Sequence, residues 1–190
     1  MSFPCHAFFR VAHADWPTAT RVTPRPWRIA LSFPDLTTDR LVLRPWPAEE
    51  AAAAVAGEHR PHWASGFPGE ADRMIAGLLT REPERPHGHY QMIERETGLT
   101  VGAIGLKWPP TDGSVEFGYG IVPSRRCRGY TTEAVRALVA FARTVPGVAE
   151  VFATVDPANV PSVRVLEKAG LRRDGVVASD EGTLHRYVAE

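Results

Sequence analysis

The chain has 190 residues, 44% of them hydrophobic and 9% aromatic, which suffices for one ordinary domain with a packed core and does not call for a second. Its 22 Lys and Arg balance its 22 Asp and Glu, so no overall field draws it to nucleic acid or to an anionic membrane, and any anion must be held locally. Apolar stretches are broken by Arg, Pro or Gly within roughly ten positions, too soon to span a bilayer, and Cys5 and Cys127 make neither a disulfide framework nor a structural zinc site, so a reducing cytoplasm is the expected setting.

Residues 1–35 carry Pro4, Pro17, Pro24, Pro26 and Pro34 and no sustained period, so this stretch is expected to be an extension without a stable element, with the domain over 36–190. It is acid-poor, as transit peptides are, but its prolines break an amphipathic helix; a loose extension or an upstream start codon are the simpler readings. Asp39 to Arg44 alternates like a half-buried strand and Pro45 closes it. Ala48 to Ala56 follows Pro47, is rich in Ala and Glu, and stops at Gly57, which predicts a short helix. Residues 58–69 read as a loop, and 70–79 resume helical spacing with Met74, Ile75, Leu78 and Leu79 on one side. Three strands follow at 89–94, 100–107 and 114–122, separated by turn chemistry at 96–98 and 109–113, and predict an antiparallel meander. Thr131 to Arg143 has apolar residues at 134, 135, 138, 139 and 142, a helical stripe with Glu133 in its first turn. Glu150 to Val155 reads as a strand, Pro161 to Ala169 as a helix stopped by Gly170, and 171–177 and 183–188 as two short strands. There is no internal repeat.

The chemistry concentrates in Val122-Pro-Ser-Arg-Arg-Cys-Arg-Gly-Tyr-Thr-Thr-Glu133, where a strand ends, an Arg-rich loop follows, and Gly129 opens the strongest helix. A helix N-terminus presents unpaired amides and the positive end of its dipole, so the first turn can hold a phosphate or diphosphate. Arg125, Arg126 and Arg128 add charge, and Arg–phosphate hydrogen bonds are about twice as strong as neutral ones. A merely solvated basic loop fits the same residues. No Gly-Lys pair supports a Walker loop, and Gly118-Tyr-Gly120 lies inside a strand rather than after one, so a dinucleotide fingerprint fails too.

In order and spacing the loop resembles the acyl-CoA diphosphate loop of the GNAT acetyltransferase superfamily, Q/R-x-x-G-x-G/A, with Arg126 first, Gly129 fourth and Thr131 in place of the usual Gly or Ala sixth. Leu36-Thr-Thr-Asp-Arg-Leu-Val-Leu-Arg-Pro-Trp46 and Val115-Glu-Phe-Gly-Tyr-Gly-Ile121 resemble the first and fourth strands of the RimJ/RimL-like branch. Asp156-Pro-Ala-Asn-Val-Pro-Ser-Val-Arg-Val-Leu-Glu-Lys-Ala-Gly-Leu171 is similar to that branch's D-x-x-N-x-x-S-x-x-V-L-E-K-x-G-F block. The resemblance covers residues 36 to about 175 and implies a mixed α/β (α+β) GNAT fold, a central, mostly antiparallel twisted sheet of about seven strands with about four flanking helices. It implies acetyl-CoA as cosubstrate, with the backbone near Ile121 and Val122 pairing the pantetheine arm and Arg126, Cys127, Arg128, Gly129, Tyr130 and Thr131 taking the diphosphate. The resemblance further implies that Asn159 and Ser162 face the thioester and that Lys168 reaches the nucleotide phosphates. Read from the residues alone, Asn159 and Ser162 are also helix-start caps, and Lys168 also suits a helix C-terminus.

The activity so implied is acetyl transfer to a primary amine by direct attack in a ternary complex, without a covalent enzyme intermediate. Gly118 and Gly120 would permit a bulge that exposes an amide to the thioester oxygen, or only allow close approach of another backbone. Glu116 is the expected base through water, and also fits a solvated strand carboxylate; Ser162 or an ordered water, ahead of Tyr119 and Tyr130, is the expected acid at the sulfur. Cys127 lacks a readable His partner and is not taken as a nucleophile, and scattered histidines give no metal site. Trp63 and Phe67, with Glu116, would line the acceptor pocket, although both aromatics equally suit a core. The acceptor is a small-molecule amine or a protein N-terminus, with no nucleic acid or membrane partner and a monomer or homodimer expected. The alternative is an acyl-CoA-binding sensor or interaction module that keeps the fold without transfer, a reading supported by Thr131 and by the open identity of the base.

Overall fold

A computed structural model describes residues 33–81, 88–179 and 182–190. Of the expected Pro-rich extension, residues 1–32 lie outside the described residues. The chain joins the core at Phe33, ahead of the expected start at residue 36: its ring meets Trp108, Phe141 and Tyr90 at centroid distances of 5.7, 5.9 and 6.3 Å.

Eight strands form one sheet in the order β1-β2-β3-β4-β5-β6-β8-β7. They are β1 (Leu36–Thr37), β2 (Leu41–Pro45), β3 (His89–Glu94), β4 (Thr100–Leu106), β5 (Ser114–Ile121), β6 (Glu150–Val155), β7 (Leu171–Ser179) and β8 (Gly182–Ala189). The additional strand is β1, two residues that fold back on Leu43 and Val42. Among the described residues four α-helices flank the sheet: α1 (Ala48–Ala56), α2 (Glu70–Arg81), α3 (Tyr130–Ala142) and α4 (Val160–Ala169). Local chemistry explains their ends: Gly57 and Gly170 close α1 and α4 with φ of 72° and 96°, and Pro161 lies in the first turn of α4, where a missing N–H costs nothing.

All neighbouring strands are antiparallel except β5 and β6. The ladder between β4 and β5 is regular from Leu106↔Phe117 to Gly102↔Ile121, so the bulge expected at Gly118 and Gly120 does not form there; register shifts lie at Met92/Ile93 and Arg173/Gly175. What opens β5 is its other edge. β6 pairs with it only at Ser114↔Glu150, Val115↔Val151 and Glu116↔Phe152, then continues along β8. Residues 58–69 are less loop-like than their composition predicts: Ala64 N–H donates to Thr100 O at 3.0 Å and Thr100 N–H to His62 O at 2.8 Å, so this stretch adds a short bridge to the end of β4.

The core is continuous. Leu41, Leu43, Met92, Ile104, Leu106 and Phe117 from the sheet join Ala134, Val135 and Leu138, the stripe of α3. At Gly102 an added Cβ would lie 2.2 Å from the Gly120 carbonyl oxygen, so β4 and β5 approach this closely only because that side chain is missing.

Candidate functional site

The Arg loop occupies the end of β5. After Val122 the chain makes a 3-10 turn over Pro123–Arg125 and enters α3 through Gly129 at φ 80°. Gly129 supplies no side-chain cap to the first amides of α3, and helix starts of this kind suit an anion. Cys127, with φ 59°, adopts a conformation natural to glycine; its thiol is exposed. Arg128 is exposed, Arg126 partly so, and Thr131 is buried at 8% exposure. Arg125 is not mobile charge for a phosphate: its Nε and second terminal nitrogen bind the Glu94 carboxylate at 3.0 and 3.1 Å.

Glu94, 2% exposed, also accepts from Tyr130 Oη at 2.8 Å and Thr97 Oγ1 at 2.6 Å. Burial pushes its carboxyl up, but bonds from Thr97, Arg125 and Tyr130, with the Arg125 charge, outweigh burial and hold it at about 2. A second carboxylate, Glu133 in the first turn of α3, takes Thr38 Oγ1 at 2.6 Å and the Arg40 backbone N–H and Nε at 2.8 Å each. Here too desolvation is outweighed by these donors, and the Glu133 carboxyl is lowered. Arg40 continues the chain of contacts, donating to Arg128 O at 2.8 Å and lying 4.7 Å over the Tyr130 ring. Beside the loop an open groove of about 800 Å³ is lined by Thr38, Gly129, Thr132, Glu133, Arg136 and Lys168, among others. Lys168 therefore faces the same groove as the loop glycine, and its carbonyl accepts from Arg136.

Among the described residues, no strand faces the edge of β5 beyond Glu116. Lys107 N–H donates to Glu116 O and Val122 N–H to Val101 O, so the even-numbered residues of β5 spend their backbone groups on β4 and the odd-numbered ones point them the other way. Past the short β6 ladder, the N–H and C=O of Tyr119 and Ile121 thus face the gap. Val122 differs from its expected role: its N–H is taken by Val101 and its carbonyl by Arg125 N–H, so Ile121 remains available where Val122 is not. Across the gap Tyr119 Oη donates to Ser162 O at 3.2 Å, and burial raises the Tyr119 phenol above its ordinary range. Asn159 caps α4 by accepting from Ser162 N–H at 3.3 Å, and Ser162 is buried beside it. The cap role and a place beside the gap coincide in these two residues.

On the opposite face, Gln91, Ala103 and Gly120 form one row across β3, β4 and β5. Gln91 donates to Glu50 of α1 at 2.7 Å, which identifies this as the α1 side of the sheet. Among the described residues, a Cβ at Gly120 would meet nothing within 4 Å, so β5 is bare over that position. Glu116 lies four residues before Gly120 on that face, its carboxylate engaged by Lys107 Nζ at 2.8 Å and Thr154 Oγ1 at 2.6 Å. Trp63 and Phe67 do not wall a pocket. They are 2% and 3% exposed, stack edge to face at 5.6 Å, and join the core, with Trp63 Nε1 bound to Glu50 at 2.9 Å. His62 Nε2 stands 3.2 Å from the same carboxylate, and the hydrogen bonds it receives keep the Glu50 carboxyl low despite its burial. Among the described residues no cluster of His, Cys, Asp and Glu could hold a metal ion, and no helix is long and apolar enough to cross a membrane.

An acetyltransferase (GNAT) domain model matches residues 40–172, most of the chain and both halves of the gap. The chain belongs to the GNAT acetyltransferase family. Its curated relatives are named N-acetyltransferases: the uncharacterized N-acetyltransferase YoaA of Bacillus subtilis is 27% identical over 153 residues, 76% of this chain and 86% of that protein. Among solved structures, an acetyltransferase from Agrobacterium tumefaciens is 25% identical with a TM-score of 0.63, covering 85% of this chain and 97% of its own. AAC(6')-Ib, solved with Parmomycin and AcetylCoA, shares the fold at 24% identity and a TM-score of 0.60, over 80% of this chain and 93% of its own. The GNAT fold is accordingly the expected one, with eight strands and four helices.

Proposed function

We propose that this GNAT acetyltransferase moves an acetyl group from acetyl-CoA to a primary amine by direct attack in a ternary complex at the open edge of β5. One observation carries the reading: the unpaired backbone at Tyr119 and Ile121 runs directly into a helix N-terminus flanked by Arg126 and Arg128. Backbone groups of Tyr119 and Ile121 complete a ladder with the pantetheine amides, and the amides of the first α3 turn, with Arg126 and Arg128, take the diphosphate. Arg136 and Lys168 complete the nucleotide side of the groove. When bound, acetyl-CoA supplies the acyl group as a thioester. An amide of β5 polarises its carbonyl; the amine nitrogen bonds to the acyl carbon, the C–S bond breaks, and the electron pair leaves on sulfur.

The acceptor approaches over the bare strip at Gly120, on the α1 face. Glu116 serves that side. Each carboxylate oxygen keeps a further lone pair beyond Lys107 and Thr154, enough to take the ammonium proton through water. Little help is required for an α-amine: with a pKa of about 8 it costs roughly 1 to 1.5 kcal/mol to neutralise at pH 7, against 4 to 5 for a Lys-type amine near 10.4. At the leaving side an ordinary thiol has a pKa of about 8.5, below any tyrosine. Tyr119, whose hydroxyl proton is given to the Ser162 carbonyl, holds that residue in place; Ser162 stabilises the thiolate by donating a hydrogen bond, and water supplies the final proton.

The RimJ/RimL-like motifs, together with the low cost of an α-amine, support a protein N-terminal amine as acceptor, in a cytoplasmic setting. The alternative of a sensor without transfer drew on Thr131, which is buried and does not line the groove, and on the identity of the base, which only turnover can decide. Release of free thiol from acetyl-CoA, followed with short peptides and with free small amines, tests both points. Faster turnover on peptides is expected; turnover confined to small amines contradicts the acceptor, and tight acetyl-CoA binding with no turnover on either contradicts transfer itself.

A further inference from the structure

The loop that is to hold the diphosphate has a backbone that the chain does not favour by itself: Cys127 and Gly129 both have positive φ, 59° and 80°, within three residues. For cysteine this region is uncommon, and such conformations persist only where surrounding contacts over-determine them. Glu94, from a different hairpin, supplies those contacts at both ends of the loop. Its Oε1 accepts from Arg125, the residue before the loop, and from Tyr130, the residue after it, at 3.0 and 2.8 Å. Its Oε2 takes Arg125 again and Thr97 of the β3–β4 turn at 3.1 and 2.6 Å. One buried carboxylate thus fixes the span of the four residues from Arg126 to Gly129.

We infer that Glu94 is a positioning residue for diphosphate binding: it clamps Arg125 and Tyr130 so that the loop is shaped for its anion before the anion arrives. The inference rests on the acetyl-CoA reading above. Arg125, which by sequence belongs with the other loop arginines, is spent on this clamp, and its charge cancels that of Glu94 rather than that of a phosphate. A preformed loop binds more tightly because ordering has already been done. Removing the carboxylate leaves the first α3 amides in place but frees the loop from its imposed turn, so the effect falls on ligands that carry the diphosphate and spares those that do not.

The test compares wild type with Glu94→Gln, titrating CoA by calorimetry and measuring transfer from two donors, acetyl-CoA and S-acetylpantetheine, which lacks the diphosphate. Hydrogen bonds to charged groups of this kind lead us to expect about a 10-fold rise in the CoA dissociation constant and in KM for acetyl-CoA. Turnover at saturating acetyl-CoA and kcat/KM for S-acetylpantetheine should change by less than about 2-fold. Arg125→Gln added to Glu94→Gln should cost less than the two changes made separately, because no lone buried charge remains. Equal losses with both donors, or unchanged CoA affinity in Glu94→Gln, overturn the clamp. Absence of saturable heat in the wild type overturns the acetyl-CoA reading itself and is thereby told apart. Should Glu94→Gln fail to fold by circular dichroism, Tyr130→Phe, which cuts one end of the clamp, carries the same expectation at smaller size.

Discussion

The two halves of β5 differ in what borders them. Ser114 to Glu116 have a strand on either side, and the one charged side chain there, Glu116, is matched by Lys107 and Thr154. Phe117 to Ile121 keep only β4, and the backbone left over faces a gap that leads to the Arg loop. The first half is a closed sheet that fixes the position of the second. The lesson is that the site is made less by special side chains than by where pairing stops, with the polar groups around it tied by contacts far apart in sequence.

That contrast predicts a ranking of effects. Replacing Arg126 and Arg128 together with Ala, at the open end, should raise the acetyl-CoA dissociation constant about 100-fold, two charge-assisted bonds being lost, while KM for the acceptor moves little; comparable changes in both constants would argue that the loop does not hold the cosubstrate. Gly120→Phe puts a ring on the bare strip and should cut acceptor kcat/KM about 30-fold with CoA affinity nearly unchanged, read from paired titration and kinetics. Glu116→Gln, at the closed end, should lower turnover on an α-amine by no more than about 10-fold near pH 7 and recover by about pH 9, since the amine then loses its proton unaided. A pH-independent deficit would remove Glu116 as base. The smallest effect lies in acid. The folded Glu94 carboxyl is depressed to about 2 from an unfolded value near 4.5, so its stabilisation is fully present above 4.5 and is lost as pH falls through the folded value. Urea midpoints should decline across that window in the wild type and less steeply in Glu94→Gln.

Much of this arrangement could be read from the residues in order. The α3 stripe, the meander, the helix stops at Gly57 and Gly170 and the Arg loop are local patterns, and each formed where spacing and turn chemistry predicted. The short β1 escaped because two residues carry no period. Trp63 and Phe67 were ambiguous by type, and it is the bond from Trp63 to Glu50 and the bridge to Thr100 that draw them into the core. Glu94, Glu133 and Arg40 gave no local sign of these contacts, because their partners, Thr97 apart, are 31 to 95 residues away. A polar residue inside an apolar-alternating strand, as Glu94 is at the end of β3, is the one hint available, since a buried carboxylate requires partners. The same limit applies to Val122, whose hydrogen bonds depend on a register that sequence alone does not reveal.

The central claim is that the unpaired edge of β5 and the first turn of α3 together receive the cosubstrate. Amide hydrogen exchange resolved by residue, with and without saturating CoA, tests it directly. Slowed exchange should appear at Tyr119, Ile121 and from Gly129 to Thr132, with little change at Ser114 to Glu116. Exchange unaltered at the first set under saturating CoA, or slowed at some other surface instead, would contradict the account.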